Sequence, residues 1–147
     1  MPIRHTRPPI VVTHEGGVRF AAQVRGHRVL VDQPERAGGE DTAPSPIELL
    51  GAGLGTCVAY YVQQFLSSRG LPYDGLRVTV EQLPASSPSR TGKFVVHVSL
   101  PAELHGEQAV LIERVARSCP AHNTLSLGAD VEVLIGVGEA EAEPAPA

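Results

Sequence analysis

Three short runs near the start of the chain are rich in apolar and β-branched residues. They cover residues 9–14, 18–24 and 28–32. Glycines at Gly16-Gly17 and at Gly26 separate the runs, so the pattern predicts a three-stranded antiparallel meander. The following segment, 33–43, is polar, carries two glycines and offers no apolar anchor. We therefore expect it to be a mobile loop.

A longer apolar stretch, 46–69, predicts a helix with marked ends. Ser45 is a candidate N-cap, Pro46 takes the first helical position, and Glu48 follows Ser45 by three residues, which is the spacing of a capping box. Gly70 marks the C-terminal end. Apolar residues occur on all sides of this helix, and a helix of that kind belongs in the centre of a core.

Three glycines, Gly51, Gly53 and Gly55, lie inside this predicted helix. Each costs a helix about 1 kcal/mol relative to alanine. Small residues allow a neighbouring element to approach closely, so these glycines indicate tight packing. A second copy of the same helix is one candidate for the neighbour.

The second half of the chain predicts two strands, a helix and a last strand. The strands cover 76–83 and 92–100, the helix 103–118, and the last strand 130–137, with a helical turn capped by Asn123 or Thr124 before Gly128. Leu104, Leu111, Val115 and Cys119 form one stripe of the helix. The order βββαββαβ predicts an α+β fold with a mostly antiparallel sheet.

Composition narrows the class of protein. A chain of 147 residues with 42% apolar residues fits one domain, 9–137, after a short segment 1–8. The acidic, Pro- and Ala-rich tail 138–147 is expected to be disordered.

A net charge of −4 without a basic cluster argues against nucleic acid as a partner. The sequence has no apolar run long enough for a membrane span and no signal-peptide pattern, which predicts the cytoplasm.

The chain has two cysteines, Cys57 and Cys119. The simplest interpretation is a pair of inert buried thiols. Cys57 lies two to three turns into the first helix, and Cys119 ends the second helix before Pro120. Their separation in sequence does not say whether they meet. Reactivity requires a nearby cation or hydrogen-bond donor, for which the N-terminal meander offers three candidates: Arg19, Arg25 and Arg28.

Two other kinds of site stay open on residue type alone. Cys119 and His122 have the C-x-x-H spacing of two metal ligands, although the remaining histidines show no matching spacing, so we predict no metal. Cys57 and His122 could form a nucleophile–base pair, but the sequence does not place the third, orienting group that such catalysis needs.

The segments PSPIELLGAGLGTC, 44–57, and SCPAHNTL, 118–125, resemble the OsmC/Ohr family, and more closely its OsmC-like branch. The agreement in element order covers about 9–137. The resemblance implies an OsmC-like fold in which two chains intertwine as a homodimer. The cysteine-bearing helices would then lie at the centre and the active sites at the subunit interface.

The same resemblance implies a thiol-dependent peroxidase for organic hydroperoxides. Cys57 matches the peroxidatic cysteine and Cys119 the resolving one. Cys57 would become a sulfenic acid, Cys119 would close a disulfide with it, and an external dithiol would reduce that disulfide. The family needs no metal or organic cofactor. An apolar substrate pocket would be lined by Leu54, Tyr60 and Tyr61.

The resemblance gives Glu48 a second possible role, the orientation of a thiolate-stabilising arginine. Ohr-type proteins carry that glutamate ten residues before the cysteine, where this chain has Ile47, whereas the OsmC-like branch commonly has it nine before. Helix capping therefore stays an alternative for Glu48. Arg19 is the best positional match for the arginine, and Arg28 is the second. Two other functions remain open, a binding protein for a small apolar ligand and a thiol redox sensor.

Overall fold

The computed structural model describes residues 7–138, which form an α+β fold with antiparallel sheets. By contact density the chain divides into two compact units. The first, here called the meander unit, comprises 7–46 and 133–138 of the described residues. The second, here called the thiol unit, is Ile47–Glu132 and contains both cysteines. Within 7–138, no helix is long and apolar enough to cross a membrane.

The predicted element order is confirmed up to the last strand. The elements are β1 (Val11–Gly16), β2 (Arg19–Val24), β3 (His27–Val31), a 3-10 turn (Glu35–Ala37), α1 (Pro46–Ser68), β4 (Arg77–Ala85), β5 (Arg90–Ser99), α2 (Glu107–Ala116) and α3 (Pro120–Leu127).

The meander unit contains the predicted three-stranded sheet, in the order β1-β2-β3 with both pairs antiparallel. Gly16 and Gly17 have positive φ, and so does Arg25 before Gly26, which is why the chain can reverse at these two places. Ala21, at the centre of the sheet, is buried.

Asp32 anchors the loop that follows β3. Its carboxylate is fully buried and accepts hydrogen bonds from the main-chain N–H groups of Gln33, Glu40 and Thr42 and from the Thr42 hydroxyl, at 2.7 to 3.3 Å. These contacts lower the pKa of Asp32 to about 2, with the Thr42 amide as the largest cause. The prediction of an unanchored loop at 33–43 was therefore wrong, because the anchor is polar.

Helix α1 begins at Pro46, as predicted, and buries one face in the thiol unit. The buried positions are Gly51, Leu54, Gly55, Val58, Val62, Phe65 and Leu66. The opposite face is open in the single chain, where Leu50 and Tyr60 are 49% and 59% exposed. The helix is central to the thiol unit, but a single chain covers only part of its apolar surface. The capping pair Ser45 and Glu48 stays a prediction.

Contacts within the single chain explain two of the three glycines of α1. A Cβ on Gly55 would lie 2.9 Å from Val80 Cγ2, and one on Gly51 would lie 2.9 Å from Gln82 Oε1. These glycines therefore allow α1 to lie close against β4. Gly53 differs, since among the described residues a Cβ there would meet no atom within 4 Å.

The two predicted strands β4 and β5 form a hairpin, whose residues Val80, Phe94, Val96 and Val98 pack against the buried cluster. They pair in antiparallel register from Arg77 with Ser99 to Ala85 with Arg90. Phe94, Val96 and Val98 alternate along β5 and pack against the buried cluster, as the sequence pattern predicts.

Helices α2 and α3 correct the boundaries of the predicted second helix. Helix α2 is shorter than the predicted 103–118, and Pro120 opens an eight-residue helix in which Cys119 is the N-cap, in place of Asn123 or Thr124. Proline at a first helical position is preorganised for that role. The predicted stripe of Leu104, Leu111, Val115 and Cys119 does pack on the core.

The predicted last strand, 130–137, is not formed. Its apolar side chains Val131, Val133, Leu134, Ile135 and Val137 are all at least 74% exposed. A strand needs a pairing neighbour, and in the described chain none pairs with this segment. The predicted terminal segments, 1–8 and 138–147, fall mostly outside the described residues.

Candidate functional site

Cys57 lies in the middle of α1, at the border between the buried and the open face of that helix. It is partly buried and packs against the apolar cluster that contains Leu54 and Val58. Leu50, Gly53, Cys57 and Tyr60 follow one another at spacings of three and four residues, so they share one helix face. The Cys57 thiol therefore belongs to the core on one side and borders an open surface on the other.

Cys119 is fully buried in the same cluster, at the N-terminus of α3. Its backbone is extended, with φ −67° and ψ 142°, because Pro120 disfavours the helical region for the residue before it. The His122 main-chain N–H donates to Cys119 Sγ at 3.2 Å. The sulfur thus takes the place that a serine or aspartate oxygen has in an ordinary N-cap.

The two thiols are neighbours in the folded chain, and both are free. Burial raises the pKa of the Cys119 thiol, and the Cys57 thiol raises it further through a direct hydrogen-bond contact and through charge. The main-chain N–H groups of His122 and Ala121 act in the opposite direction. The structure thereby brings together two sulfurs that lie 62 positions apart in the sequence.

The His122 side chain points to partners on its own helix. Its ring nitrogens lie 3.4 Å from Asn123 Oδ1 and 3.4 Å from Ser126 Oγ. The hydrogen bond from His122 to Cys119 Sγ comes from its main-chain N–H. Within residues 7–138, no group of three or more His, Cys, Asp or Glu side chains is arranged to hold a metal ion.

An apolar groove of about 540 Å³ is lined by several residues of the same apolar cluster, and neither cysteine is among its lining residues. Helix α1 contributes Leu54, Val58 and Val62 to it, and α2 contributes Ile112. The apolar residues that β5 contributes are Phe94, Val95, Val96 and Val98. Lys93, Glu113, Arg117 and His122 add polar groups. Of the three predicted pocket residues, Leu54 lines this groove. Tyr61 packs on the core cluster, and Tyr60 stacks edge-to-face on Tyr61 at 5.5 Å while remaining exposed.

Glu48 lies in the first turn of α1, beside a hollow of about 450 Å³ between α1 and β4. Gly51, Gly55, Thr56 and Gln82 also line this hollow. Gln82 donates to the Ile47 carbonyl at 2.8 Å, which ties β4 to the start of the helix.

The candidate arginines all belong to the meander unit. Arg19 Nη1 lies 3.1 Å from Glu40 Oε2, and Arg28 Nη2 lies 2.6 Å from Glu15 Oε1. Arg25 takes the positive-φ position of the β2–β3 turn. The structure thus supplies two arginine–glutamate pairs, in which Glu15 and Glu40 are partners that sequence reasoning did not identify.

Sequence reasoning also missed the donors to Cys119. The signal was present, since Cys-Pro at the start of an apolar stretch combines an N-cap position with proline at the first helical position. That pattern was interpreted as the end of one helix rather than the start of the next. The groove residues Val62 and Phe94 were assigned to the core, because an apolar side chain that lines a groove has the same periodicity as one that fills a core.

Fold and site together define a dithiol protein of the α+β class. The sequence profile of the family described as OsmC-like protein matches residues 38–134. That range contains both cysteines and about two thirds of the chain. The chain belongs to the OsmC-like family.

Solved structures show the same fold. A Psychrobacter arcticus protein, provisionally described as an osmotic-stress-induced and detoxification response protein, aligns with TM-score 0.72 at 21% identity, over 78% of this chain and 85% of that one. An OsmC-like protein of Mycoplasma pneumoniae aligns with TM-score 0.63 at 20% identity, over 83% of this chain and 89% of that one. An organic hydroperoxide resistance protein of Legionella pneumophila aligns with TM-score 0.59 at 18% identity, over 80% of this chain and 88% of that one. A comparison with curated protein sequences returned no match.

Proposed function

We propose that this protein reduces organic hydroperoxides, with Cys57 as the attacking thiol and Cys119 as the resolving thiol. The observation that carries the proposal is the contact between two free thiols in one apolar cluster. Membership of the OsmC-like family supports it. The Legionella neighbour, an organic hydroperoxide resistance protein, supports it as well.

The proposed reaction has two steps. The Cys57 thiolate attacks the terminal oxygen of the hydroperoxide, the O–O bond breaks, and Cys57 becomes a sulfenic acid while the alcohol leaves. The Cys119 sulfur then attacks the Cys57 sulfur, an S–S bond forms, and water leaves. The hydroperoxide gains two electrons, and the two thiols lose two.

The apolar groove of the thiol unit favours an organic substrate. Phe94, Val96 and Val98 supply a partly exposed apolar wall, and apolar surface removed from water contributes about 25 cal/mol per Å². A cumyl or alkyl chain gains from that wall, whereas hydrogen peroxide does not. We therefore propose that organic hydroperoxides react faster than hydrogen peroxide.

Steady-state turnover tests this proposal. Consumption of cumene hydroperoxide is followed with dithiothreitol as the external dithiol, and hydrogen peroxide serves as the comparison substrate. Wild type should turn over both, cumene hydroperoxide faster. Cys57→Ser should lose turnover entirely, while Cys119→Ser should still be oxidised once at Cys57. A Cys57→Ser variant as active as wild type would refute the assignment of the attacking thiol.

The same groove favours a second candidate function, the binding of a small apolar ligand without efficient turnover. Under that alternative the fluorescent probe 1-anilinonaphthalene-8-sulfonate binds the groove, Val96→Trp on β5 blocks it, and Cys57→Ser leaves binding unchanged. Peroxide turnover would be no faster than with free cysteine. The turnover experiment thus separates the two functions.

A homodimer is part of the proposal. Leu50, Gly53, Cys57 and Tyr60 form a face of α1 that the single chain leaves open, and Gly53 provides a notch for close approach. In sedimentation experiments wild type should be a dimer, and Gly53→Leu should dissociate more readily while keeping its helical circular dichroism. A monomeric wild type, or an unchanged Gly53→Leu dimer, would contradict this interface.

Free thiols are typical of the reducing cytoplasm, which we propose as the location.

A further inference from the structure

The apolar groove of the thiol unit carries one charge that the described chain does not balance. Four polar side chains line the groove: Lys93, Glu113, Arg117 and His122. Glu113 Oε1 accepts a hydrogen bond from Arg117 Nη2 at 2.7 Å, so these two charges offset each other. Among residues 7–138, the Lys93 ammonium has no ion-pair partner. The side chains that line the groove therefore carry a net positive charge, which comes from Lys93.

Along β5, this charge and the apolar surface of the groove follow one another. Lys93 is exposed, and the lining residues Phe94, Val96 and Val98 that come after it on the strand are apolar and half-buried. A strand rises about 3.3 Å per residue, so the apolar wall extends roughly 16 Å from Lys93 to Val98. The volume of the groove, about 540 Å³, is in the range of sites that hold one small molecule. Such a lining suits a ligand with an anionic head and an apolar chain.

The groove is separate from the face of α1 that we assign to the dimer. That face consists of Leu50, Gly53, Cys57 and Tyr60, and none of these residues lines the groove. A dimer formed through this face therefore does not use the groove-lining residues, and a ligand in the groove needs no access to Cys57.

We propose that the groove binds an unbranched monocarboxylate, with its acyl chain on the β5 wall and its carboxylate at Lys93. The chain supplies most of the affinity, because apolar surface leaves water. The ammonium is a compact point charge, which suits a monoanionic head, and in an exposed position it adds selectivity more than affinity. The inference deepens the proposed function and rests on it for the assignment of the groove to a ligand, but it requires no thiol chemistry.

Calorimetric titration with two ligands of equal chain length tests the charge of the head. Decanoate and decyltrimethylammonium carry opposite charges on ten-carbon chains. Decanoate should bind roughly tenfold more tightly, because Lys93 attracts one head and repels the other. Octanoate should bind several-fold more weakly than decanoate, since each methylene contributes up to about fourfold. Equal affinities for the two heads, or no binding of decanoate, would overturn the inference.

Variants of Lys93 test the residue that holds the head. Lys93→Gln should weaken decanoate binding roughly threefold to fivefold, and Lys93→Arg should restore it. Arg77→Gln is the matched control, because it removes a positive charge from the neighbouring strand β4 at an exposed position that does not line the groove. It should leave decanoate binding unchanged. Equal losses in Lys93→Gln and Arg77→Gln would indicate attraction by net charge alone and would overturn the contact with Lys93.

Amide chemical shifts test the position of the chain. Decanoate should shift the amide signals of Phe94, Val96 and Ile112 most, because these residues line the groove on two elements. Val96→Trp should abolish binding. Shifts concentrated at Leu50 and Tyr60, or unchanged binding in Val96→Trp, would overturn the assignment to the groove.

The thiols separate this inference from the proposed function. Cys57→Ser should bind decanoate as wild type does, although it should not turn over cumene hydroperoxide. If wild type turns over cumene hydroperoxide but does not bind decanoate, the peroxidase stands and the inference falls. If decanoate binds in the groove and wild type does not turn over cumene hydroperoxide, the peroxidase is refuted and the inference stands.

Discussion

The meander unit and the thiol unit are organised around different kinds of buried side chain. Among the described residues, the meander unit buries Ala21 and the Asp32 carboxylate, and its loop is held by hydrogen bonds to that carboxylate. The thiol unit buries an apolar cluster in which Cys119 is the polar exception. A carboxylate anchor responds to pH, whereas apolar packing responds to the volume of its side chains. The difference teaches that both thiols belong to the apolar unit, where little water surrounds them.

The largest effect should come from truncation inside the thiol unit. Leu66 is 1% exposed, and Leu66→Ala should lower the free energy of unfolding by about 3 kcal/mol through lost transfer energy and a cavity. Leu127, which is 86% exposed, is the matched control. Leu127→Ala should change the free energy of unfolding by less than about 0.5 kcal/mol. Urea denaturation measures both. Equal losses would show that the cluster is not the source of stability.

A smaller loss should follow from adding one methyl group to α1. Gly55→Ala places a Cβ against the stiff Val80 side chain, and overpacking should exceed the gain in helix propensity by about 1 kcal/mol. Gly51→Ala meets the mobile end of Gln82 and should be close to neutral. Thermal unfolding compares the two variants. A stabilised Gly55→Ala would contradict the close approach of α1 to β4.

Acid should loosen the meander unit before it affects the thiol cluster. The pKa of Asp32, about 2, lies below the value of about 3.9 in an unfolded chain, so the carboxylate stabilises the loop fully above about pH 4 and loses that effect as pH falls through 2. Amide protection of Glu40 and Thr42 should fall in that window, while that of Val62 persists. In Asp32→Asn the two loop amides should exchange fast at neutral pH. Loop protection that persists at pH 2 would refute the polar anchor.

The smallest effects on stability should come from the exposed ion pairs of the meander unit. Arg19→Ala and Arg28→Ala should each cost less than about 1 kcal/mol, because both pairs are solvent-exposed. Their effects on Cys57 oxidation should differ. If Arg19 supplies the activating charge, Arg19→Ala slows the loss of the Cys57 thiol roughly tenfold, and Arg28→Ala does not. If Arg28→Ala slows the loss of the Cys57 thiol and Arg19→Ala does not, Arg28 supplies the activating charge instead.

Much of the fold was predictable, because local signals and tertiary packing agree. The apolar runs before residue 32, separated by glycines, and the marked ends of the helix at Pro46 and Gly70 are strong local patterns. The last strand was not predictable in the same way. The segment 130–137 has the right alternation, but a strand forms only where a neighbour pairs with it, and sequence pattern does not report the neighbour. Asp32 was missed because a buried polar anchor resembles a solvent-exposed residue in any hydropathy pattern.

The site was less predictable than the fold. Cys57 and Cys119 were identified through their motifs, but their contact depends on tertiary packing, which no sequence spacing reveals. The N-terminal position of Cys119 on α3 was readable from Cys-Pro, yet the same dipeptide also ends helices. Glu40 was missed because an acidic residue in a polar loop is indistinguishable, by pattern, from a solvated one.

A single-turnover titration tests the central claim most directly. One equivalent of cumene hydroperoxide is added to the reduced protein, and free thiols, cumyl alcohol and the intact protein mass are measured together. We predict the loss of two thiols for each alcohol formed and a protein lighter by two hydrogens. Cys57→Ser should show neither change. Thiol loss no faster than that of free cysteine, or oxidation without a Cys57–Cys119 disulfide, would contradict the account.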